Sequence, residues 1–362
     1  MSRELTNRTR ALRGQLRRLE ARALAVTHLP NLYYLTGFTG DNGALLVTLG
    51  RTVLFTDPRF TTQARQECGQ GREIVVTRKP LLQEVAEYLS RLGRGGRVLF
   101  EEDKLTVAQL LQARRATRGT WSWKGARGVV EALREVKDGA EVALMRQAAR
   151  IGSAVMEHAI GIVKPGITEQ ELAAEIEYQM RKGGAEGPSF ETIAASGWRS
   201  ALPHGRATSK RLKQKELVVL DLGVILRGYC SDLTRTVHIG RASAEVRGWY
   251  KAVLEAQIAA RAAVTAGVEA LQVDEAARGV LRSYGLERYF IHSTGHGLGL
   301  EVHERPGLGR NQKAVLKAGS VVTIEPGVYL PGRGGIRIED DVLVLEAGSE
   351  TLTSVPRELM EL

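Results

Sequence analysis

The sequence predicts two domains, an N-terminal α/β domain over residues 1–125 and a C-terminal α+β domain over residues 129–362 that contains an internal repeat. Three observations support this division. The length of 362 residues exceeds the usual size of one domain. Short apolar runs alternate with helix-like segments in the first third of the chain, and two similar helix-rich segments recur in the remainder.

The N-terminal part has the pattern of an α/β domain. The apolar runs ALAVTH, ALLVTLG, TVLFTD, REIVVT and GRVLFEE predict strands, and residues 80–93 and 104–118 are helix-like. Residues 119–128 (GTWSWKGARG) are rich in glycine and show little periodicity, so we place the domain boundary there. A long amphipathic helix is expected to begin near Val129 and to continue to the break at Pro165-Gly166.

The C-terminal part contains two similar segments, KPGITEQELAAEIEYQMRKGG (164–184) and TAGVEALQVDEAARGVLRSYG (265–285). Each closes one long helix with a glycine and opens another, and each is followed by strand-like runs. The first carries the capping-box pattern Thr168-x-x-Glu171. A duplicated helix–helix–sheet unit gives two similar halves, and the seam between them is a natural place for a functional site.

Composition excludes several classes of protein. The net charge of +10 would permit binding to polyanions, but the arginines are scattered beside glutamates without an aromatic-basic motif, so we expect no nucleic-acid partner. No apolar run approaches the ~20 residues that span a bilayer, so no membrane association is expected. The N-terminus lacks the apolar core of a secretory signal, which favours a cytoplasmic location. Cys68 and Cys230 form no C-x-x-C pair, so neither a disulfide framework nor a thiolate zinc site is indicated.

Two aspartates flank the turn of a predicted hairpin, LVVLDLGVILRGYCSDLTRTVHI (217–239). If the hairpin is symmetric about residues 226–228, Asp221 and Asp232 are directly opposed, with Cβ atoms about 4.5–5.5 Å apart. One carboxylate could be exposed or protonated. However, Asp221 lies within the apolar run VVLDLGV, where a buried unpaired charge is costly. A bound cation would remove both the repulsion and this cost, so the hairpin favours a metal site.

Two further acids emerge from apolar strands, Glu325 in SVVTIE and Glu339 in GIRIEDDVLVL. Each alone could be a salt-bridge residue. Together with the two aspartates and one imidazole from HSTGHGLGLEVHE (292–304), they form a set of hard ligands suited to manganese, with cobalt, zinc or iron as alternatives. Because four carboxylates exceed what one ion needs, we expect two divalent metal ions, Mn²⁺ before Co²⁺, Zn²⁺ or Fe²⁺.

In order and spacing, the motifs VVLDLGV…YCSDLTRT, HSTGHGLGLEVHE, TIEPGVYL and GIRIEDDVLV resemble the M24 pita-bread metallopeptidases, which include aminopeptidase P, prolidase and methionine aminopeptidase. The resemblance covers about residues 130–362. Residues 1–125 look more loosely like the N-terminal domain of the prolidase, aminopeptidase P and creatinase branch. The resemblance implies a pita-bread catalytic domain with a pseudo-twofold repeat, and we expect the N-terminal domain to help form a homodimer.

The resemblance also implies roles for individual residues. The metal ligands would be Asp221, Asp232, His296, Glu325 and Glu339, with Asp232 and Glu339 bridging the two ions. The candidate catalytic residues are Glu325 as proton acceptor, together with His204, His292 and His303 beside the substrate. The candidate substrate-binding residues are Arg337 and Tyr329, and Arg333 and Arg305 are alternative cations.

The activity that the resemblance implies is hydrolysis of the bond before proline in Xaa-Pro peptides, a bond whose nitrogen carries no hydrogen. We favour an Xaa-Pro aminopeptidase, which acts on longer peptides. The alternative is an Xaa-Pro dipeptidase (prolidase), which must neutralise a carboxylate immediately beyond proline, ideally with an arginine. A non-catalytic binding protein of the same fold is a further alternative, but all five expected ligands are present.

Overall fold

The computed structural model describes residues 3–69, 72–93 and 95–362. The chain divides into two compact units, Met1–Arg134 and Glu135–Leu362. In the described parts of the chain, no helix is both long enough and apolar enough to cross a membrane.

The N-terminal unit is built around one mixed β-sheet. Its helices are α1 (Arg3–Arg18), α2 (Leu29–Thr36), α3 (Thr61–Glu67), α4 (Leu81–Arg91), α5 (Val107–Ala116) and α6 (Glu131–Arg134). Its strands are β1 (Ala23–Val26), β2 (Gly43–Thr48), β3 (Thr52–Thr56), β4 (Glu73–Val76), β5 (Gly96–Glu101) and β6 (Trp121–Ala126). The strand order is β4-β3-β2-β1-β5-β6. Helix α4 packs its apolar face on this sheet, as expected for an α/β domain.

Strand β6 lies inside the stretch that we expected to be irregular. It pairs in parallel with β5 along its whole length, from Gly96↔Trp121 to Glu101↔Ala126. Trp121 and Trp123 are buried and the residues that follow each are exposed, so the run W-S-W-K has the two-residue period of a half-buried strand. The glycines that flank this run obscured its alternation.

The C-terminal unit begins with a helix that starts later than predicted. The Asp138 side chain accepts hydrogen bonds from the main-chain N–H of Ala140 and Glu141, both at 3.0 Å, and Asp138 N–H donates to Glu141 Oε2 at 2.9 Å. This capping box starts the long helix at Gly139 rather than near Val129. The residues before it form the short helix α6 of the N-terminal unit.

The remaining helices are α7 (Gly139–Ile162), α8 (Glu169–Lys182), α9 (Ala244–Ala262) and α10 (Ala270–Ser283). The strands are β7 (Gly187–Pro188), β8 (Ile193–Ser196), β9 (Leu217–Leu222), β10 (Val224–Leu226), β11 (Tyr229–Cys230), β12 (Leu233–His238), β13 (Gly295–Gly297), β14 (Glu304–Leu308), β15 (Val321–Ile324), β16 (Gly327–Leu330), β17 (Gly334–Arg337), β18 (Asp340–Val344) and β19 (Ser349–Thr351). The two main sheets have the orders β12-β9-β8 and β14-β13-β15-β18-β19.

The predicted internal repeat is present in the C-terminal unit. Gly166, with φ of 94°, donates its N–H to Leu212 O at 2.9 Å, and Gly267, with φ of 87°, donates to Leu316 O at the same distance. The helices that follow, α8 and α10, each begin with a capping box. Each half also has its own hydrophobic core, α7 and α8 against β9 and β12 in one, and α9 and α10 against β15 and β18 in the other.

Candidate metal centre and active site

A cavity of about 530 Å³ lies in the C-terminal unit, within the size range of small-molecule sites. It is lined by every predicted site residue except Tyr329, namely His204, Asp221, Asp232, His292, His296, His303, Glu325, Arg337 and Glu339. Strands from both halves of the repeat therefore contribute side chains to one cavity.

The two aspartates come from the β9–β12 hairpin, but they are not directly opposed as predicted. Asp221 pairs with Thr234, and Asp232 lies just before β12. The reason is the turn, which consists of Arg227 and Gly228, both with positive φ, and lies one residue later than direct opposition of Asp221 and Asp232 would require. Because side chains alternate with a period of two, the resulting two-residue offset leaves both carboxylates on the same face of the hairpin.

The two glutamates occupy matching places in the second half. Glu325 follows β15 and Glu339 precedes β18, and these strands are antiparallel with Ile324 opposite Asp340. The two acids thus lie at the same end of the sheet. Thr234 connects this end to the hairpin of the first half, since its hydroxyl donates to Glu339 Oε2 at 2.5 Å and its carbonyl accepts from Glu339 N at 3.2 Å.

His296 lies on β13 and faces the acids. Its Nδ1 is 3.0 Å from Gly297 O, which leaves Nε2 directed to Asp232 Oδ2 at 3.7 Å and Glu325 Oε1 at 3.5 Å. Both neighbours of His296 must be glycine, because a Cβ atom at Gly295 or Gly297 would clash with a main-chain carbonyl of an adjacent strand. Close strand packing, rather than approach to a ligand, therefore explains these two glycines.

The electrostatics of the acids favour a bound cation. Burial, followed by the charges of Glu339 and Asp221, raises the pKa of Asp232 well above its ordinary value. Burial, followed by the charges of Glu325 and Asp221, likewise raises the pKa of Glu339. Burial raises the pKa of Glu325 to about 7. Such a cluster is costly at neutral pH unless positive charge compensates it.

The donor set fits a divalent metal ion. One ligand atom each from Asp232, His296 and Glu339 lies within 4.8 Å of the others. In the described part of the chain, Oδ1 of Asp221 and Oδ1 of Asp232 are buried and accept no hydrogen bond. Buried carboxylate oxygens without a donor, beside a neutral imidazole, are the hard ligands that manganese and similar ions take.

Arg337 lines the cavity, and Tyr329 contacts two of the residues that line it. The Tyr329 hydroxyl accepts a hydrogen bond from Arg337 Nη1 at 2.7 Å and lies 2.8 Å from His292 Nε2. Arg337 also donates to Asp221 Oδ2 at 2.5 Å and to Thr234 Oγ1 at 3.1 Å. In this arrangement the pair positions His292 and Asp221.

The three predicted catalytic histidines differ in environment. Burial and the charge of Arg337 lower the pKa of His292 to about 4, so its ring is neutral at pH 7, with Nδ1 2.8 Å from Ser293 O. His303 is stacked edge-on against His296, with ring centroids 4.4 Å apart, and burial lowers its pKa as well. His204 is exposed and lines the outer part of the cavity.

Sequence reasoning missed Arg235, a positioning residue beneath the acids. Its side chain is completely buried and donates to Thr234 O at 2.8 Å, Glu339 O at 2.6 Å and Asp340 Oδ1 at 2.9 Å. It thus holds together the main chains on which Glu339 and the Asp221–Thr234 pair lie. An arginine inside the predicted hairpin strand LTRTVHI was the available signal, because a guanidinium buried in a strand requires several acceptors.

The sequence also did not indicate which other residues line the cavity. They include the apolar side chains of Phe190, Ile193, Pro203 and Val302, and an ion pair between Arg206 and Glu191 with Nε and Oε2 2.8 Å apart. The two alternative cations lie elsewhere. Arg333 pairs with Glu245 and stacks on Trp249, and Arg305 is exposed on β14.

Two protein families match this chain. The model of metallopeptidase family M24 matches residues 143–346, and that of the creatinase/prolidase N-terminal domain matches residues 8–136. The chain belongs to metallopeptidase family M24. Its C-terminal unit is the pita-bread catalytic domain of that family, and the family implies divalent metal ions as cofactors.

The names of similar proteins agree with membership of family M24. An Xaa-Pro dipeptidase of Pyrococcus furiosus is 36% identical over 330 residues, 91% of this chain and 92% of the relative. The structure of an Xaa-Pro dipeptidase from Bacillus anthracis is 38% identical, with a TM-score of 0.95, and the match covers 99% of this chain and 100% of that one. The structure of an X-Pro aminopeptidase from Thermotoga maritima is 36% identical, with a TM-score of 0.88, over 96% of this chain and 100% of that one.

These comparisons confirm the prediction of an M24 enzyme with a creatinase/prolidase N-terminal domain, and they leave no support for a non-catalytic binding protein. They support the dipeptidase alternative better than the aminopeptidase that we favoured from the sequence.

Proposed function

We propose that this M24 enzyme is an Xaa-Pro dipeptidase that uses two divalent ions. The observation that carries the proposal is the convergence of five hard donors in one cavity, two of them with buried oxygens that accept no hydrogen bond from the described residues. The names of two similar relatives favour the dipeptide as substrate.

The residues that would hold the ions are Asp221, Asp232, His296, Glu325 and Glu339, with Asp232 and Glu339 shared between the two ions, as the resemblance to family M24 implies. When bound, such ions polarise the scissile carbonyl and make a water molecule nucleophilic near neutral pH. Manganese is the ion that we propose first, since carboxylate oxygens outnumber imidazole nitrogen in this set.

Glu325 is the proposed proton acceptor. Its Oε1 lies 3.5 Å from His296 Nε2, so its carboxylate borders the donors that would hold the ions and the water molecule whose proton it would accept. Departure of proline requires a proton on a ring nitrogen that carries none in the substrate. His292 and His303 line the cavity beside the acids, and we assign the orientation of the substrate carbonyl and proton delivery to them.

The test is a comparison of an Xaa-Pro dipeptide with the matching Xaa-Pro-Xaa tripeptide in the manganese-loaded enzyme. A dipeptidase should show the higher kcat/KM on the dipeptide, by about tenfold for each net interaction of about 1.4 kcal/mol that the terminal carboxylate gains. The reverse ranking would support the aminopeptidase, as the name of the Thermotoga maritima structure suggests. An Xaa-Ala dipeptide serves as the control for proline recognition.

Assembly into a homodimer, a cytoplasmic location and the preference for manganese over other divalent ions are further predictions from the sequence. The first can be measured by light scattering of the purified enzyme. Metal preference follows from reconstituting the chelated protein with each ion in turn.

A further inference from the structure

We propose that Arg206 binds the terminal carboxylate of the dipeptide and that Glu191 competes with the substrate for this arginine. The pair would then set the preference for dipeptides over longer peptides. This inference rests on the proposed dipeptidase function and adds the residues that read the length of the substrate.

The first observation concerns the cations of the cavity. Among the described residues, the arginine or lysine side chains that line it are Arg206 and Arg337. Arg337 is only 3% exposed, and its guanidinium already donates to Asp221, Thr234 and Tyr329. Redirecting it to a substrate would leave the Asp221 carboxylate and the Tyr329 hydroxyl without this donor. Arg206 is the cation of the cavity that can change partners.

The second observation is the state of the Arg206–Glu191 ion pair. The side chains are 79% and 58% exposed, and the pair joins Nε to Oε2 at 2.8 Å. An exposed pair of this kind contributes little to stability, so exchanging one carboxylate for another has a low cost. A substrate carboxylate that approaches from inside the cavity would meet a guanidinium able to bind it through two hydrogen bonds.

The third observation is the apolar surface that accompanies the pair. Phe190 immediately precedes Glu191, and Pro203 lies three residues before Arg206; both line the cavity. A proline ring is apolar and rigid, and its carboxylate is attached directly to the ring. A ring packed between Phe190 and Pro203 would therefore place that carboxylate toward Glu191 and Arg206.

The same pair would disfavour longer substrates. In an Xaa-Pro-Xaa peptide the carboxylate is replaced by a neutral amide, which gains little from a guanidinium. Glu191 then keeps Arg206, and its own negative charge repels a carboxylate placed at other positions of the rim. Specificity would thus combine an attraction for a carboxylate attached directly to proline with a repulsion of a carboxylate that lies farther along the substrate.

The experiment compares an Xaa-Pro dipeptide with its Xaa-Pro amide, which has the same shape but no terminal charge. In Arg206→Gln, the ratio of kcat/KM between dipeptide and amide should fall at least tenfold, mainly through a higher KM for the dipeptide. Arg206→Lys should retain an intermediate ratio, since a lysine supplies the charge without the bidentate geometry. Glu191→Gln should shift the ratio in the opposite direction, by about threefold, because the competitor for Arg206 is removed.

Arg310→Gln is the matched control. Arg310 is an exposed arginine that pairs with Glu287 at 2.9 Å and is not among the described residues that line the cavity, so the ratio in this variant should equal that of the parent enzyme. An unchanged ratio in Arg206→Gln, or an equal loss on both substrates, would overturn the inference while the dipeptidase function stands. A parent enzyme that cleaves Xaa-Pro-Xaa but not Xaa-Pro would instead overturn the proposed function itself.

Discussion

Replacing Glu325 by glutamine should stabilise the metal-free protein at neutral pH. Burial raises the pKa of this carboxyl from its ordinary value of 4.5 to about 7, which means that the folded state binds the proton more tightly than the unfolded state. The contribution of this carboxyl group to the free energy of unfolding is therefore greatest below about pH 4.5, falls as the pH rises to about 7, and then stays level. The difference between the two pKa values corresponds to about 3 kcal/mol, since one pKa unit is worth about 1.4 kcal/mol.

The assay is urea denaturation of the chelated parent protein and of Glu325→Gln between pH 4 and pH 8. At pH 4 the two should be equally stable, and at pH 8 the variant should be more stable by up to about 3 kcal/mol. Addition of manganese should reverse the order, because the variant lacks a proposed ligand. Glu20→Gln, at a side chain 84% exposed, is the control. A difference independent of pH would refute the reasoning.

Three further substitutions separate the proposed roles of the site residues. Asp232→Ala should lower the metal affinity by at least about a hundredfold and abolish activity. Metal analysis after dialysis measures this loss, and normal metal content in the variant would contradict a ligand shared by two ions. His303→Ala should keep its metal while kcat falls by about a hundredfold, so loss of metal would show that this histidine is a ligand. Tyr329→Phe should retain metal and lose about tenfold in kcat/KM, the equivalent of about 1.4 kcal/mol, because the hydroxyl joins Arg337 to His292; an unchanged rate would refute this positioning role.

The structural elements that the sequence predicts best are those with strong local signals. The glycine breaks at Gly166 and Gly267 and the capping boxes after them gave the internal repeat, since positive φ and helix capping are properties of a few neighbouring residues. The carboxylates that line the cavity were predicted for a similar reason, because a carboxylate in an apolar strand conflicts with its surroundings. Strand β6 was missed because glycines surround its short alternating run.

What the sequence could not give is geometry that depends on distant segments. The hairpin register was two residues off because it follows from one positive-φ turn, at Arg227 and Gly228, that alternation alone does not locate. The ion pair of Arg206 with Glu191 and its place in the cavity depend on how two loops fold beside Phe190. Exposed arginines and glutamates carry no periodicity, so nothing local distinguished this pair from the others on the surface.

The most direct test of the central claim is the release of free proline from an Xaa-Pro dipeptide while Mn²⁺ is added to the chelated enzyme. The five donors of the cavity predict no release before addition and full activity at two equivalents of the ion per chain. Full activity at one equivalent would contradict the two-ion site. Proline release by the chelated enzyme would contradict metal-dependent hydrolysis altogether.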